Sequence, residues 1–87
     1  MLDGPQKELV GPKIDALVKF DESGPVPLAI KVDGRRLDIG KVTYRWVSHR
    51  GAYAIYHFSA ELESGERLEL AFDSGRMKWK LKSLLER

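Results

Sequence analysis

Apolar and polar residues alternate with a period of two along most of this chain, the pattern of strands with one buried face. From Lys13 to Phe20, Ile14, Ala16, Val18 and Phe20 alternate with Asp15, Leu17 and Lys19, and Asp21-Glu22-Ser23-Gly24-Pro25 stops the run. After Pro27, which cannot donate to a ladder and belongs at a strand start or an edge, Leu28, Ile30 and Val32 alternate with Ala29 and Lys31. Asp33-Gly34 follows, a dipeptide suited to the positive φ angles of a two-residue type I′ hairpin turn. Leu37 and Ile39 resume the alternation on the returning strand. At Gly40-Lys41 the phase slips by one residue, and Val42, Tyr44 and Trp46 carry the apolar set onward. A one-residue slip at a glycine is the mark of a β-bulge, which bends a strand so that a sheet can close.

Ser48-His49-Arg50-Gly51 breaks the pattern, and residues 52–62 restore it. Ala54, Tyr56, Phe58, Ala60 and Leu62 form the expected inward set of that strand, opposite Tyr53, Ile55, His57, Ser59 and Glu61. The opposite set turns polar toward its end, while Tyr53 and Ile55 leave its near half partly apolar. Ser64-Gly65 turns the chain into a strand with Leu68, Leu70 and Phe72 inward. Ser74-Gly75 turns it again into a last strand from Arg76 to Lys82, with Met77, Trp79 and Leu81 inward. Leu84-Leu85 suggests a short helical or irregular tail. Short sequential connections favour neighbours in the sheet, and six one-sided strands resolve their edges by curling. The expected fold is all-β: an antiparallel six-stranded meander forming a small barrel or strongly bent sheet.

Length and composition narrow the picture. Eighty-seven residues make one domain, read as a tail or single helical turn over 1–12 and one small β domain over 13–87. With no cysteine, disulfides, thiolate chemistry and the usual structural zinc sites are excluded. Charged residues occupy the start, MLDGPQKELV, where a signal peptide needs an apolar core, and no apolar run reaches membrane-spanning length. The expected location is therefore cytoplasmic. A formal net charge of +2 is mildly basic, less than the one-sided excess of dedicated nucleic-acid modules.

Few residues carry candidate chemistry. His49 and His57 are the only histidines, with no third ligand at metal spacing, and read as surface residues. Ser48 and His49 are neighbours on an extended chain and point to opposite faces, so they form no nucleophile–base pair. The carboxylates Glu61, Glu63, Glu66, Glu69 and Asp73 read as solvating a hairpin and facing basic neighbours. Arg76, Lys78, Lys80 and Lys82 fall on one face of the last strand, a stripe that either tracks phosphates or pairs with Glu69 and protects an edge. Arg35 and Arg36 beside the hairpin turn, with Arg45, His49, Arg50 and Tyr53 near the next connection, form a second basic group with an aromatic among arginines. Trp46 and Trp79 are both in phase with the inward set, which makes core packing their default role.

The string Pro27-x-x-Ile30-x-Val32-x-Gly34-Arg35-x-Leu37-x-Ile39-x-x-Val42 resembles the opening of a group of small bacterial β-domains of unknown function. Those domains occur alone or appended to the C-terminal end of lesion-bypass polymerase-like proteins. Tyr53 to Leu81, with Phe72-Asp73 and Trp79-Lys80-Leu81, resembles their closing hairpins, so the likeness covers about residues 27–81. Ile30, Val32 and Leu37 stand where that group tends to have aromatics. The resemblance implies a small all-β accessory module near DNA-repair machinery, and it brings no catalytic residues with it.

The expected function is a non-catalytic accessory or binding module acting through a protein partner, with no cofactor and no metal. The alternatives are weak nucleic-acid backbone binding through a basic face, or a structural domain that self-associates as a homodimer through Tyr53, Ile55 and the Leu84-Leu85 tail. The candidate binding residues are Arg35, Arg36, Arg45, Arg50, Tyr53, Lys78, Lys80 and Lys82. An enzyme is disfavoured because no nucleophile–base pair, metal cluster or phosphate loop is visible.

Overall fold

Period-two alternation becomes six strands in the computed structural model, which describes residues 14–85; the tail expected over 1–12 lies outside the described residues. In chain order they are β1 (Ile14–Asp21), β2 (Gly24–Val32), β3 (Arg35–Arg50), β4 (Tyr53–Leu62), β5 (Arg67–Asp73) and β6 (Lys78–Leu85). Each pairs antiparallel with the next, so the order in the sheet is the order in the chain. The meander curls into a half-barrel. Its edge strands β1 and β6 approach each other, but no ladder joins them among the described residues. None of the described residues is helical, and no helix there is long and apolar enough to cross a membrane.

The β2–β3 turn is built as Asp33-Gly34 dictates. Both residues have positive φ, 51° and 81°, the type I′ signature that matches the twist of the flanking strands, and Val32 pairs with Arg35 across it. The core lies inside the curl, where Ile30, Phe58, Ala60, Leu62, Leu68 and Leu70 are buried together with Tyr56, Trp79 and Leu81 packed against them. The Trp79 ring lies 4.9 Å from Phe72 and 5.8 Å from Phe58, so this tryptophan is a core residue, as its phase requires. Each fully buried Ile, Leu or Phe among them contributes about 1.5–3 kcal/mol by leaving water.

Strand β3 contains two bulges. Ile39 pairs with Leu62 and Lys41 with Glu61, which leaves Gly40 as the extra residue at the phase slip seen in the sequence. Val42 then pairs with Ala60 but Tyr44 with Ser59, so Thr43 is a second extra residue. Its hydroxyl donates to the Ser59 carbonyl at 3.1 Å, giving a partner to an acceptor beside the interrupted ladder. The second slip cancels the first. Directly paired residues share a face, so Arg45 opposite Phe58 and Val47 opposite Tyr56 are on the core side. Tyr44 and Trp46 are turned to the outer face, Tyr44 being 65% exposed. The expectation that Tyr44 and Trp46 continue the inward set is thereby corrected.

The far ends of the strands also depart from expectation. Strand β3 continues through Ser48, His49 and Arg50, and only Gly51 and Ala52 form the turn. Residues 74–77 are a turn, with Met77 at φ 55° and 69% exposed, so Met77 is not a core residue and Arg76 is not on the strand. Leu84-Leu85 belongs to β6 rather than to a helical or irregular tail. Within β6, Leu81 pairs with Leu70 and Ser83 with Glu69, which leaves Lys82 as a bulged residue.

Candidate functional site

With Trp46 outward, the outer face of β3–β6 becomes a set of transverse rows. One row runs Trp46, His57, Ala71, Lys80; the next runs Ser48, Ile55, Asp73, Lys78; a third runs Tyr44, Ser59, Glu69, Ser83. Along β3 the Tyr44 and Trp46 rings stand 5.4 Å apart. Across the ladder Trp46 lies parallel to His57, at 4.9 Å between centroids and 2° between planes. The bulge at Lys82 brings its ammonium over this ladder, 5.2 Å from the Trp46 centroid, 3.2 Å from His57 Nδ1 and 3.9 Å from Glu69 Oε1.

Those contacts fix the protonation of His57. An ammonium only donates, so Nδ1 accepts from Lys82 and the single ring proton of the neutral imidazole sits on Nε2. From there it is donated to Ser48 Oγ, 2.8 Å away. Burial, first, and then the Lys82 charge hold the His57 pKa below its ordinary 6.5, with Glu69 pulling the other way. Ser48 and His57 are close enough for a nucleophile and its base, but a base needs its lone pair on the nitrogen facing the hydroxyl. A cation stands at Nδ1 where a triad has a carboxylate. This tautomer offers a hydrogen bond to Ser48 and cannot take its proton.

Toward the β3–β4 and β5–β6 turns the outer face opens into a hollow of about 550 Å³, floored by Ile55 and Ala71 and rimmed by Arg50, Arg76, Lys80 and Lys82. Its turn end is pinned by Asp73, a carboxylate only 4% exposed. Arg50 reaches it through Nη2, 3.1 Å from each oxygen, and the backbone amides of Gly75 and Arg76 donate to its Oδ1 at 2.9 and 3.2 Å. Burial works against ionisation of Asp73, but the Arg50 hydrogen bond, the two amides and the Arg50 charge together hold its pKa below 3.8. Arg50 also stands over the Tyr53 ring at 5.8 Å, and that ring packs so closely on Gly75 that a Cβ there would lie 2.6 Å from it.

The eight sequence-derived candidates therefore divide. Arg50, Lys80 and Lys82 share the hollow, Lys78 is in the neighbouring row, and Tyr53 packs beside the turn. Arg35 and Arg36 stand apart at the β2–β3 hairpin, where Arg36 pairs with Asp38 at 2.8 Å. Arg45 is on the opposite face, donating to Ser23 Oγ at 2.7 Å and standing over Phe58 at 5.8 Å. Trp46, Ser48, His57 and Arg76 were not among those eight: the sequence reads Trp46 as core, His57 as a surface residue and Arg76 as part of the basic stripe of the last strand. The signal for them was the apolar start of the outer face of β4, Tyr53 and Ile55, which calls for apolar company on the same side of β3. Among the described residues no group of three or more ligating side chains converges on a metal site. Comparison of the chain with protein-family models, curated proteins and solved structures finds no match in any of the three.

Proposed function

We propose that this chain is a non-catalytic binding module that takes single-stranded nucleic acid on the outer face of β3–β6. One observation carries the reading: Tyr44, Trp46 and His57 form an outward ladder of rings beside cations on β6. Exposed rings next to a cationic track are what a single strand needs, because bases stack on the rings while the phosphates follow the charges. On this face Lys41, Arg50, Arg67, Arg76, Lys78, Lys80 and Lys82 outnumber Glu61, Glu69 and Asp73. The side chains of Arg76 and Lys78 form no hydrogen bond or ion pair among the described residues. A duplex hides its base faces and would use only the charges.

Fluorescence anisotropy with labelled single and double strands tests this at low and physiological salt. Single strands should bind more tightly than duplex, with affinity falling as salt rises because phosphate contacts release counterions. Trp46→Ala should cost about 1–3 kcal/mol of binding. No binding at tens of micromolar protein in low salt would reject the proposal.

A second reading, a protein partner or a second copy of the chain, draws on Phe20 and Val47, which are 66% and 52% exposed although their registers put them on the core side of the curl. Mass rising with concentration in sedimentation would favour it; a strict monomer that binds single strands would favour the first.

A further inference from the structure

The hollow differs from the ring ladder in shape and in charge. The ladder is open along β3, whereas the hollow, which meets it at His57 and Lys82, extends to the last residues of β3 and β5 and is bounded by the turn that Asp73 and Arg50 pin. Its volume of about 550 Å³ falls in the range of about 300–1,000 Å³ that holds one small ligand, which is the size of a nucleotide unit rather than a strand. Ile55 and Ala71 give it an apolar floor, and Ser48 and Arg76 contribute a hydroxyl and a guanidinium at its rim. Arg76 is exposed, sits in the β5–β6 turn and has no side-chain partner among the described residues. A strand stacked along Tyr44 and Trp46 and continuing past His57 runs into this turn end.

Building on the single-strand reading, we infer that the hollow receives the phosphate-bearing end of the strand: its last nucleotide lies over Ile55 and Ala71, and the terminal phosphate meets Arg76 at the rim. A terminal phosphomonoester suits this place better than an internal phosphate. It carries about −1.5 to −2 charge at neutral pH and three acceptor oxygens, against a single charge for a phosphodiester. A guanidinium fork binds such a group in bidentate fashion. The asymmetry of the face, open at Tyr44 and closed at Arg50, also selects which end enters. One of the 5′- and 3′-phosphates, and not both, is therefore accommodated.

The test uses the full chain and one labelled decamer in three forms, with a 5′-phosphate, with a 3′-phosphate and with neither. The expected result is one phosphorylated form about tenfold tighter than the other two, a preference that disappears in Arg76→Gln, where all three decamers bind with the same affinity. Adenosine 5′-monophosphate, adenosine 3′-monophosphate and inorganic phosphate, as competitors, separate a nucleotide end from free phosphate: the mononucleotide whose phosphate matches the favoured decamer is expected to compete, and the other two are not. Equal affinity for all three decamers, with Trp46→Ala weakening each, would overturn the end-binding inference and leave the single-strand reading standing. An equal gain for both phosphorylated forms would overturn it too, by reducing it to general charge. If none of the decamers binds, both ideas fall.

Discussion

Trp46 and His57 face each other across the β3–β4 ladder, their rings parallel to within 2° and 4.9 Å apart, and this pair exists because of one residue between Val42 and Tyr44. Thr43 is the second extra residue of β3. Were Thr43 to pair in regular alternation instead of bulging, the phase set by Val42 would put Trp46 on the core side and Arg45 outside. The hydroxyl of Thr43 holds the bulge by donating to the Ser59 carbonyl. Thr43→Val keeps the shape and loses the hydrogen bond. It should lower stability by about 0.5–1.5 kcal/mol in urea melts and weaken the Trp46–His57 contact, seen as a shifted His57 ring resonance. An unchanged midpoint together with an unchanged ring resonance would show that the bulge holds itself.

Gly40 has a different role. Its backbone needs no left-handed conformation, and a Cβ there would meet the Glu61 carbonyl at 3.4 Å and the Glu63 amide at 3.5 Å, ordinary contacts. Gly40→Ala should therefore be tolerated within about 0.5 kcal/mol. In Gly40→Val the two γ-carbons press on the backbone of 61–63, and the expected loss is about 1–3 kcal/mol. Denaturant midpoints of the two variants decide between bulge geometry and crowding as the reason for glycine.

His57 should titrate below 6.5, and Lys82→Met should raise its pKa by removing the facing cation, although Glu69 and burial remain. NMR titration of the ring proton reads this directly. The sign for stability follows from linkage: the unfolded chain takes up the proton first, so the His57 contribution is full above pH 6.5 and is lost as pH falls through the lower folded value. A His57 pKa that falls or stays put in Lys82→Met would contradict the assigned tautomer, in which Nδ1 accepts from the ammonium.

Asp73 is expected to be the most costly single polar truncation. Asp73→Ala strips Arg50 of its partner and leaves the Gly75 and Arg76 amides without their acceptor, a loss of about 2–3 kcal/mol in thermal or urea unfolding. In the parent protein the depressed pKa means that this contribution is complete above pH 3.8 and disappears as pH falls through the lower folded value. Arg50→Met should remove part of the same stabilisation and part of its pH dependence.

The sequence made the fold legible for a physical reason. Alternation, Asp33-Gly34, Ser64-Gly65 and Ser74-Gly75 are local signals, and a meander asks nothing of residues distant in the chain. The bulge at Gly40 was legible because it breaks the apolar phase at a glycine. The bulge at Thr43 was not, because threonine is at home in a strand and both Tyr44-Trp46 and Arg45-Val47 contain apolar residues. That single unseen slip decides whether Trp46 is core or surface, so the candidate site shifted with it. Arg45 moved to the core side, Arg35 and Arg36 proved remote, and Ser48, His57 and Arg76 joined Arg50, Lys80 and Lys82. The β6 bulge at Lys82 was equally silent, since the alternation of Trp79 and Leu81 with Lys78, Lys80 and Lys82 runs unbroken up to it.

The most direct measurement is residue-resolved NMR of the ¹⁵N-labelled chain during addition of an unlabelled single-stranded decamer. Two tryptophans serve as opposing reporters, Trp46 on the outer face and Trp79 packed on Phe72 and Phe58. The expected result is that the Trp46 indole signal and the amides of Tyr44, Ser48, His57 and Lys82 move on binding while the Trp79 indole stays in place. Shifts centred on Arg35 and Arg36, or on Phe20 and Val47, or no shifts at millimolar strand, would contradict a nucleic-acid face on β3–β6.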